Sequence, residues 1–460
     1  MVMYLRDLYA RIEDYVGKEV EIKGWIRNHR KQKQIGFIDV YDGTIFQSIQ
    51  LIYESVVKSF ETIQTFKIGS SIQAICFIQK IDDKRYDFLV KEISLVGDCD
   101  VDYPMQPKNH TMEFLREEAH LRARTNIFRA VFRIRNTVSM AVHSYFQSKG
   151  FLYITTPLIT ITDCEGTDQM FKVSSFDFLH PPIKEDGSID SSKDLFGKQA
   201  YITGTGQLHG EAFAMAFTNI YTFGPIFRTE KSNTKIHANE FWMIEPEMSF
   251  CDLEQLMDVE EDALKYIIKT TLKQSYDELT FLDRFVEKGL IEKLETVVQS
   301  TSLKISYQEA IDILKKTTKK WEFQPVYGED LAKEHERYLA EEYFKSPLFI
   351  TDWPKDMKPF YCKLNPDGKT VAAVDYILPK CGELSSGSSR EDDYERLLKR
   401  MNELKIEKEQ VKWYLDLRRF GTTKRAGFGF GFERLLIYIT GMDNIRDVIP
   451  FPRTPNSCHF

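Results

Sequence analysis

Residues 227–250 read FRTEKSNTKIHANEFWMIEPEMSF. Arg228 is followed two residues on by Glu230, a polar loop intervenes, and the chain returns as a near-continuous apolar strand, FWMIEPEM, carrying Glu245 and Glu247. Carboxylates on such a strand are costly unless paired or bound to a ligand or metal. The stretch therefore reads as a polar loop returning as a strand that presents acids to a site. A second stretch, GFGFGFERL at Gly427–Leu435, sets glycines at alternate positions and then offers Glu433 and Arg434 at the start of an apolar helix. Glycine permits close backbone approach, and a permanently charged guanidinium suits phosphate. Arginines on two separate segments with inward acids point to a site for a nucleotide and an amino acid. The glycine patterns of dinucleotide folds and P-loops do not occur.

Composition sets the frame. The 460 residues allow two or three domains with a sizeable core. Apolar content of 42% and charge of 28% are those of a soluble globular enzyme. No apolar run reaches the roughly 18 residues of a membrane span, and the N-terminus has no signal or transit character. The seven cysteines are scattered without a CxxC pair. They are expected to be reduced thiols of a cytoplasmic protein, with no zinc site. A net charge of −7 confines any RNA contact to local positive patches.

Residues 1–102 hold five short runs in which apolar and polar residues alternate: VEIKGWI, IGFIDVYDGT, SIQLIY, SIQAICFIQKI and YDFLVKEISLV, with Asp42-Gly43 as a turn signal. They fit a five-stranded OB-fold, and equally another small antiparallel barrel. The tract Arg27, His29, Arg30, Lys31, Lys33 followed by Phe37 combines charge with an aromatic platform, as single-stranded RNA binding does. Pro104 and Pro107 mark a linker over 103–122. From 123 onward, Ile127, Val131, Ile134, Val138, Ala141 and Tyr145 recur at helical spacing up to Gly150, and FLYITTPLIT follows as a strand broken by Pro157. Amphipathic helices are expected as an insertion at about 252–350, and a charged helix over 390–404. Strands distributed around helical insertions predict an α+β fold with a mostly antiparallel sheet flanked by helices in 123–460.

The two opening stretches, together with TPLITITDCEG (156–166), TGQLHGE (205–211), YTFGPIFR (221–228), DLAKEHERYL (330–339), VAAVDYILPKCGELSSGSSRE (371–391) and NIRDVIPFPRTP (444–455), resemble in order the motifs of class II aminoacyl-tRNA synthetases. The likeness covers essentially the whole chain, lies in the aspartyl/asparaginyl/lysyl subgroup, and is nearest to its asparaginyl members. It implies an N-terminal OB-fold anticodon-binding domain and a class II catalytic domain. It further implies ATP and asparagine as substrates, magnesium as cofactor, tRNA(Asn) as partner, and a homodimer through the 127–160 helix and strand.

The same likeness distributes roles. Arg228 and Arg434 are the catalytic cations on the α- and γ-phosphates; Glu230, Phe241 and His237 hold the adenine and cover the nucleotide. Asp375 and Glu383 resemble the magnesium ligands. Glu165 takes the substrate ammonium with Gln207 beside it, while Glu245 and Arg390 read the asparagine amide. Phe37, with Arg30 and Gln50, contacts the anticodon. Aspartyl members carry a lysine in the QSPQLxK form of the TGQLHGE segment where this chain has Gly210. Against Glu245 an aspartate carboxylate is repelled and unpaired, which in a dry site gives discrimination of about 10⁴. The chain departs from the usual family pattern at Thr167, Thr205, Ile236, Ser386, Lys424 and Arg425. Ile236 replaces an arginine, and Lys424 and Arg425 are expected to restore that positive charge near ATP.

Overall fold

The computed structural model describes residues 3–83, 85–162, 170–231, 234–406 and 408–460. It has two compact units, Met1–Ala130 and Val131–Phe460.

Five strands of the first unit, β1 (Glu19–Lys31), β2 (Ile35–Tyr41), β3 (Ile49–Glu54), β4 (Ser71–Lys80) and β5 (Tyr86–Gly97), close a barrel in the order β1-β2-β3-β5-β4. Strict alternation builds it: Val20, Ile22 and Ile26 point inward with Ile38, Val40, Leu51, Ile72, Ala74 and Phe88. β1 is long enough to serve two partners. Its first half pairs with β4 and its second with β2, and a register shift between Ile26 and Asn28 bends it between them. The Asp42-Gly43 turn signal is real but does not make a tight hairpin. Asp42 instead accepts from the Thr44 and Leu5 amides and opens a longer connection to β3.

The second unit is built on an eight-stranded sheet. Its strands are β6 (Leu152–Tyr153), β7 (Asn219–Phe227), β8 (Glu240–Ser249), β9 (Leu303–Ser306), β10 (Leu348–Pro354), β11 (Thr370–Leu378), β12 (Gly382–Ser389) and β13 (Arg425–Gly431), in the order β9-β10-β11-β12-β13-β8-β7-β6. The interior pairs are antiparallel, and only the edge strands β9 and β6 run parallel to their neighbours. Residues 252–350 are largely helical, although β9 lies within them. Pro157 separates β6 from a short strand at Ile159–Thr160 that belongs to a small three-stranded sheet.

The helix at 126–148, α1 (Asn126–Ser148), buries Val131, Ile134, Val138, Ala141 and Tyr145 as the spacing requires. The charged helix is shorter than expected, Tyr394–Glu403, because Asp393 caps it by accepting from the Arg396 amide. Arg390 is thereby left on extended chain at the end of β12, its amide bonded to the Arg425 carbonyl. The whole is α+β.

Candidate active site

Glu245 and Glu247 lie two apart on β8 and so face the same side of the sheet. The neighbouring β13 meets them with its glycines, Gly427 opposite Glu247. A Cβ on Gly427 would lie 2.3 Å from the Glu247 carboxylate, and one on Gly429 would lie 2.6 Å from Met243 Cε. Phe428 turns to the other face, against Leu256 of α3 (Leu253–Gln274). The alternation of glycine and phenylalanine thus has a specific cause. Gly427 makes room for an ion pair on the sheet and Gly429 for Met243, while the alternating Phe428 and Phe430 are buried.

That ion pair joins Glu247 to Arg390, at 2.5 Å from Nη2 and 3.2 Å from Nε, with Arg390 Nη1 donating to Ser388 Oγ at 2.7 Å. Arg390 is 4% exposed and Glu247 1%. Desolvation opposes the Arg390 charge, but Glu247 outweighs it and keeps the guanidinium protonated. Three of the five guanidinium N–H groups are used in these bonds, which leaves donors for a ligand. Glu245 is held separately. Thr205 Oγ1 donates to one of its oxygens, and the Gly206 amide (3.1 Å) and Thr222 Oγ1 (3.0 Å) donate to the other. A carboxylate has about four lone-pair sites, so one remains for a donor in the cavity that Glu245 lines. Gly210, on α2 (Gln207–Phe217), looks onto Ile220 and Glu247. No cation extends from that position.

A cavity of ≈ 280 Å³ collects most of the residues singled out in the sequence. Gln207, Glu245 and Arg390 line it together with Arg228, Glu230, His237, Phe241, Glu383 and Arg434. Arg228 leaves β7 where the 228–239 loop begins, and Asn239 closes that loop by donating to the Arg228 and Glu230 carbonyls at 2.8 and 3.0 Å. The Arg228 guanidinium lies 5.5 Å from the Phe241 ring centre. His237 sits 3.7 Å from Glu230, and desolvation holds its imidazole below the ordinary value against that carboxylate's pull. Arg434, in the first turn of α4 (Phe432–Thr440), donates to the Glu383 carbonyl at 3.1 Å.

Asp375 lines an adjoining cavity of ≈ 700 Å³ that shares Glu383, Arg434 and His237 with the first. Lys358 holds both Asp375 oxygens at 2.7 Å. Desolvation, and then Asp375, push Glu383 above the ordinary carboxylate range; desolvation, and then Glu383, bring Glu336 up to about 7. Burial and negative neighbours thus make both Glu383 and Glu336 costly to ionise. Among the described residues no three His, Cys, Asp or Glu side chains are spaced to hold one alone. A magnesium ion here would have to take most of its shell from phosphate oxygens and water.

Glu433 lines the cavity too, with Arg135 and the Trp242 amide taking its carboxylate at 2.9 Å each. One reading changes. Lys424 and Arg425 do not restore charge beside Ile236: Lys424 pairs with Asp252 at 3.0 Å, and Arg425 turns inward to Glu211 at 3.0 Å. Lys358 lines both cavities, and sequence reasoning misses it because a lone lysine after WPKDM carries no motif. Glu165 lies in 163–169, outside the described residues.

On the barrel, Arg30 is paired with Phe37 and Phe37 with Ile52, while Gln50 faces Asp39. Phe37 is half-buried on the outer face, with the Arg30 guanidinium 5.0 Å from its ring centre. His29 behaves otherwise. Its Nδ1 donates to the Phe66 carbonyl at 3.1 Å, so its neutral Nε2 accepts from Tyr53 Oη at 2.7 Å. It is a structural member of the barrel.

The family model for class II tRNA synthetases (D, K and N) matches residues 111–455, and that for the OB-fold nucleic acid binding domain matches residues 20–96. The asparagine–tRNA ligase of Acholeplasma laidlawii is 52% identical over 463 residues, covering 100% of both chains. That of Clostridium beijerinckii is 49% identical over 458 residues, covering 99% of each. The crystal structure of asparaginyl-tRNA synthetase from Pyrococcus horikoshii complexed with asparaginyl-adenylate superposes with a TM-score of 0.85 at 29% identity, covering 100% of this chain and 99% of that one.

Proposed function

The chain belongs to the class II tRNA synthetases of the D, K and N family, and from that premise we propose that it joins asparagine to tRNA(Asn) at the expense of ATP. One observation carries the choice of amino acid. The side-chain end of the cavity holds Glu245, Glu247 and Arg390 with no cation at Gly210. Arg390 is already met by Glu247, and Glu245 has a site open only to a donor, so a neutral amide fits where a substrate carboxylate does not. The asparagine amide N–H group donates to the open site on Glu245, and the amide oxygen accepts from Arg390. Gln207, with Glu165, takes the ammonium group.

In the first step the asparagine carboxylate oxygen bonds to the α-phosphorus of ATP while the bond from that phosphorus to the pyrophosphate oxygen breaks. Negative charge gathers on the phosphoryl oxygens, and Arg228 meets it there with a planar pair of donors. Arg434 holds the γ-phosphate end; Phe241 stacks on the adenine, Glu230 accepts from its amino group, and His237 covers the nucleotide. Asp375 and Glu383 would hold magnesium, which would neutralise phosphate charge. In the second step the 3′-hydroxyl of the terminal adenosine attacks the asparaginyl carbonyl and AMP leaves, its phosphate taking the hydroxyl proton.

The chain works as a cytoplasmic homodimer through residues 127–160, a reading supported by exposed Met140, Leu152, Leu158 and Ile159 on that segment. No helix among the described residues is long and apolar enough to cross a membrane. The barrel binds the anticodon with Phe37 as platform and Arg30 and Gln50 beside it.

Aminoacylation with purified protein, labelled asparagine and tRNA(Asn) tests the proposal, and Phe37→Ala divides it. A stacked base is worth about 1–3 kcal/mol, so this variant is expected to lose roughly fivefold to a hundredfold in tRNA affinity. Its pyrophosphate exchange and melting temperature should stay at the parent's values, since the ring is outside the barrel core. Normal tRNA affinity in that variant would remove the anticodon assignment. No charging by the parent would refute the proposed function itself.

A further inference from the structure

The amino-acid end of the cavity rests on a carboxylate that no step above uses. Glu211 follows Gln207 by four residues on α2 and shares its helix face. It is fully buried. Tyr414 Oη donates to it at 2.6 Å, Arg425 Nε at 3.0 Å, Arg418 Nη2 at 3.3 Å and Gln207 Nε2 at 3.3 Å, and Arg390 Nε stands 4.0 Å away. Burial works against its charge, but the guanidinia of Arg418, Arg425 and Arg390 overcome this and keep it ionised, with a pKa of about 2.

Two groups that reach the cavity are affected. An ionised carboxylate only accepts hydrogen bonds, so the end of the Gln207 amide turned toward Glu211 is the NH₂. The amide oxygen is left as an acceptor for the cavity, and a substrate ammonium, which can only donate, requires one. At the other side Arg390 lies between Glu247 and Glu211, attracted by both. The cluster as a whole is electrically closed: Glu211, Glu245 and Glu247 balance Arg390, Arg418 and Arg425. A change at Glu211 therefore disturbs two readers of the substrate at once.

We propose that Glu211, clamped by Arg418, Arg425 and Tyr414, is a positioning residue for the amino acid. It sets which face Gln207 presents to the ammonium and where Arg390 stands for the side chain. This rests on the reading of the cavity as an asparagine site.

The test is pyrophosphate exchange by the full chain carrying Glu211→Gln or Tyr414→Phe, with KM measured separately for asparagine and ATP and a thermal melt beside each. Glu211→Gln frees the Gln207 amide to turn, and the asparagine KM is expected to rise tenfold or more with the ATP KM unchanged. Tyr414→Phe keeps the ring in the core and removes one donor to Glu211. It is expected to raise the asparagine KM about fivefold, the size of one buried hydrogen bond, again with the ATP KM unchanged. A purely structural cluster gives a lower melting temperature and fewer active molecules but an unaltered asparagine KM, and that result overturns the proposal. If Glu211→Gln does not fold, Tyr414→Phe decides in the same way. Exchange by the parent separates the two levels: its presence with unmoved variants sinks only the positioning role, and its absence sinks the asparagine reading and this proposal with it.

Discussion

Arg228→Ala is expected to lower the rate of adenylate formation by about 10²–10³, the 2.7–4 kcal/mol that a preorganised transition-state donor contributes. The effect should fall on kcat, because charge on the α-phosphoryl oxygens grows only as the pentavalent state forms. The melting temperature should hardly change, since Arg228 stands over the Phe241 ring at the mouth of a loop and is not part of the buried charge cluster. Arg228→Lys should rescue little, as an ammonium keeps the charge but loses the planar fork. Pyrophosphate exchange at the parental rate in a folded Arg228→Ala protein would remove this residue from the chemistry.

Arg390→Met is expected to fail differently. It leaves Glu247, almost fully buried, without its bidentate partner, and breaking a buried pair from one side costs about 3–5 kcal/mol. The melting temperature should fall by on the order of 5–10 °C, and asparagine activation should be lost. Replacing Glu247 by methionine as well should recover much of the stability, because the orphaned charge is gone, without recovering activity. A single variant that melts with the parent would contradict the ion pair seen on β8 and β12. A double variant that activates asparagine would contradict the role given to Arg390.

The barrel strands declare themselves in the sequence because their side chains alternate between a dry and a wet face. The apolar run FWMIEPEM reads correctly as a strand, β8, because a polar loop precedes it. The features that stay hidden in the sequence depend on contacts across long stretches of chain. Glu247 and Arg390 are 143 residues apart, so the glycine at 427 reads as room for a ligand when it is room for their ion pair. Arg425 stands 214 residues from Glu211. Its departure from the family pattern therefore reads as compensation near ATP, whereas the side chain turns inward, away from that end. Asp393 is a local signal that helical periodicity passes over: an aspartate three residues before Arg396 caps the helix there and leaves Arg390 extended at the sheet. Glu211 has a signal too, in its i, i+4 spacing from Gln207, but a lone glutamate on a helix is usually solvated.

A cavity whose Arg390 is already paired with Glu247 and whose Glu245 is open only to a donor should select the amide of asparagine over the carboxylate of aspartate, and every role given to the substrate's side chain depends on this. ATP–pyrophosphate exchange with the purified parent protein, without tRNA, measures the selection directly for the two amino acids under identical conditions. Robust exchange is expected with asparagine, and a kcat/KM for aspartate lower by about 10⁴. Equal exchange with both, or a preference for aspartate, would contradict the charge-based selection.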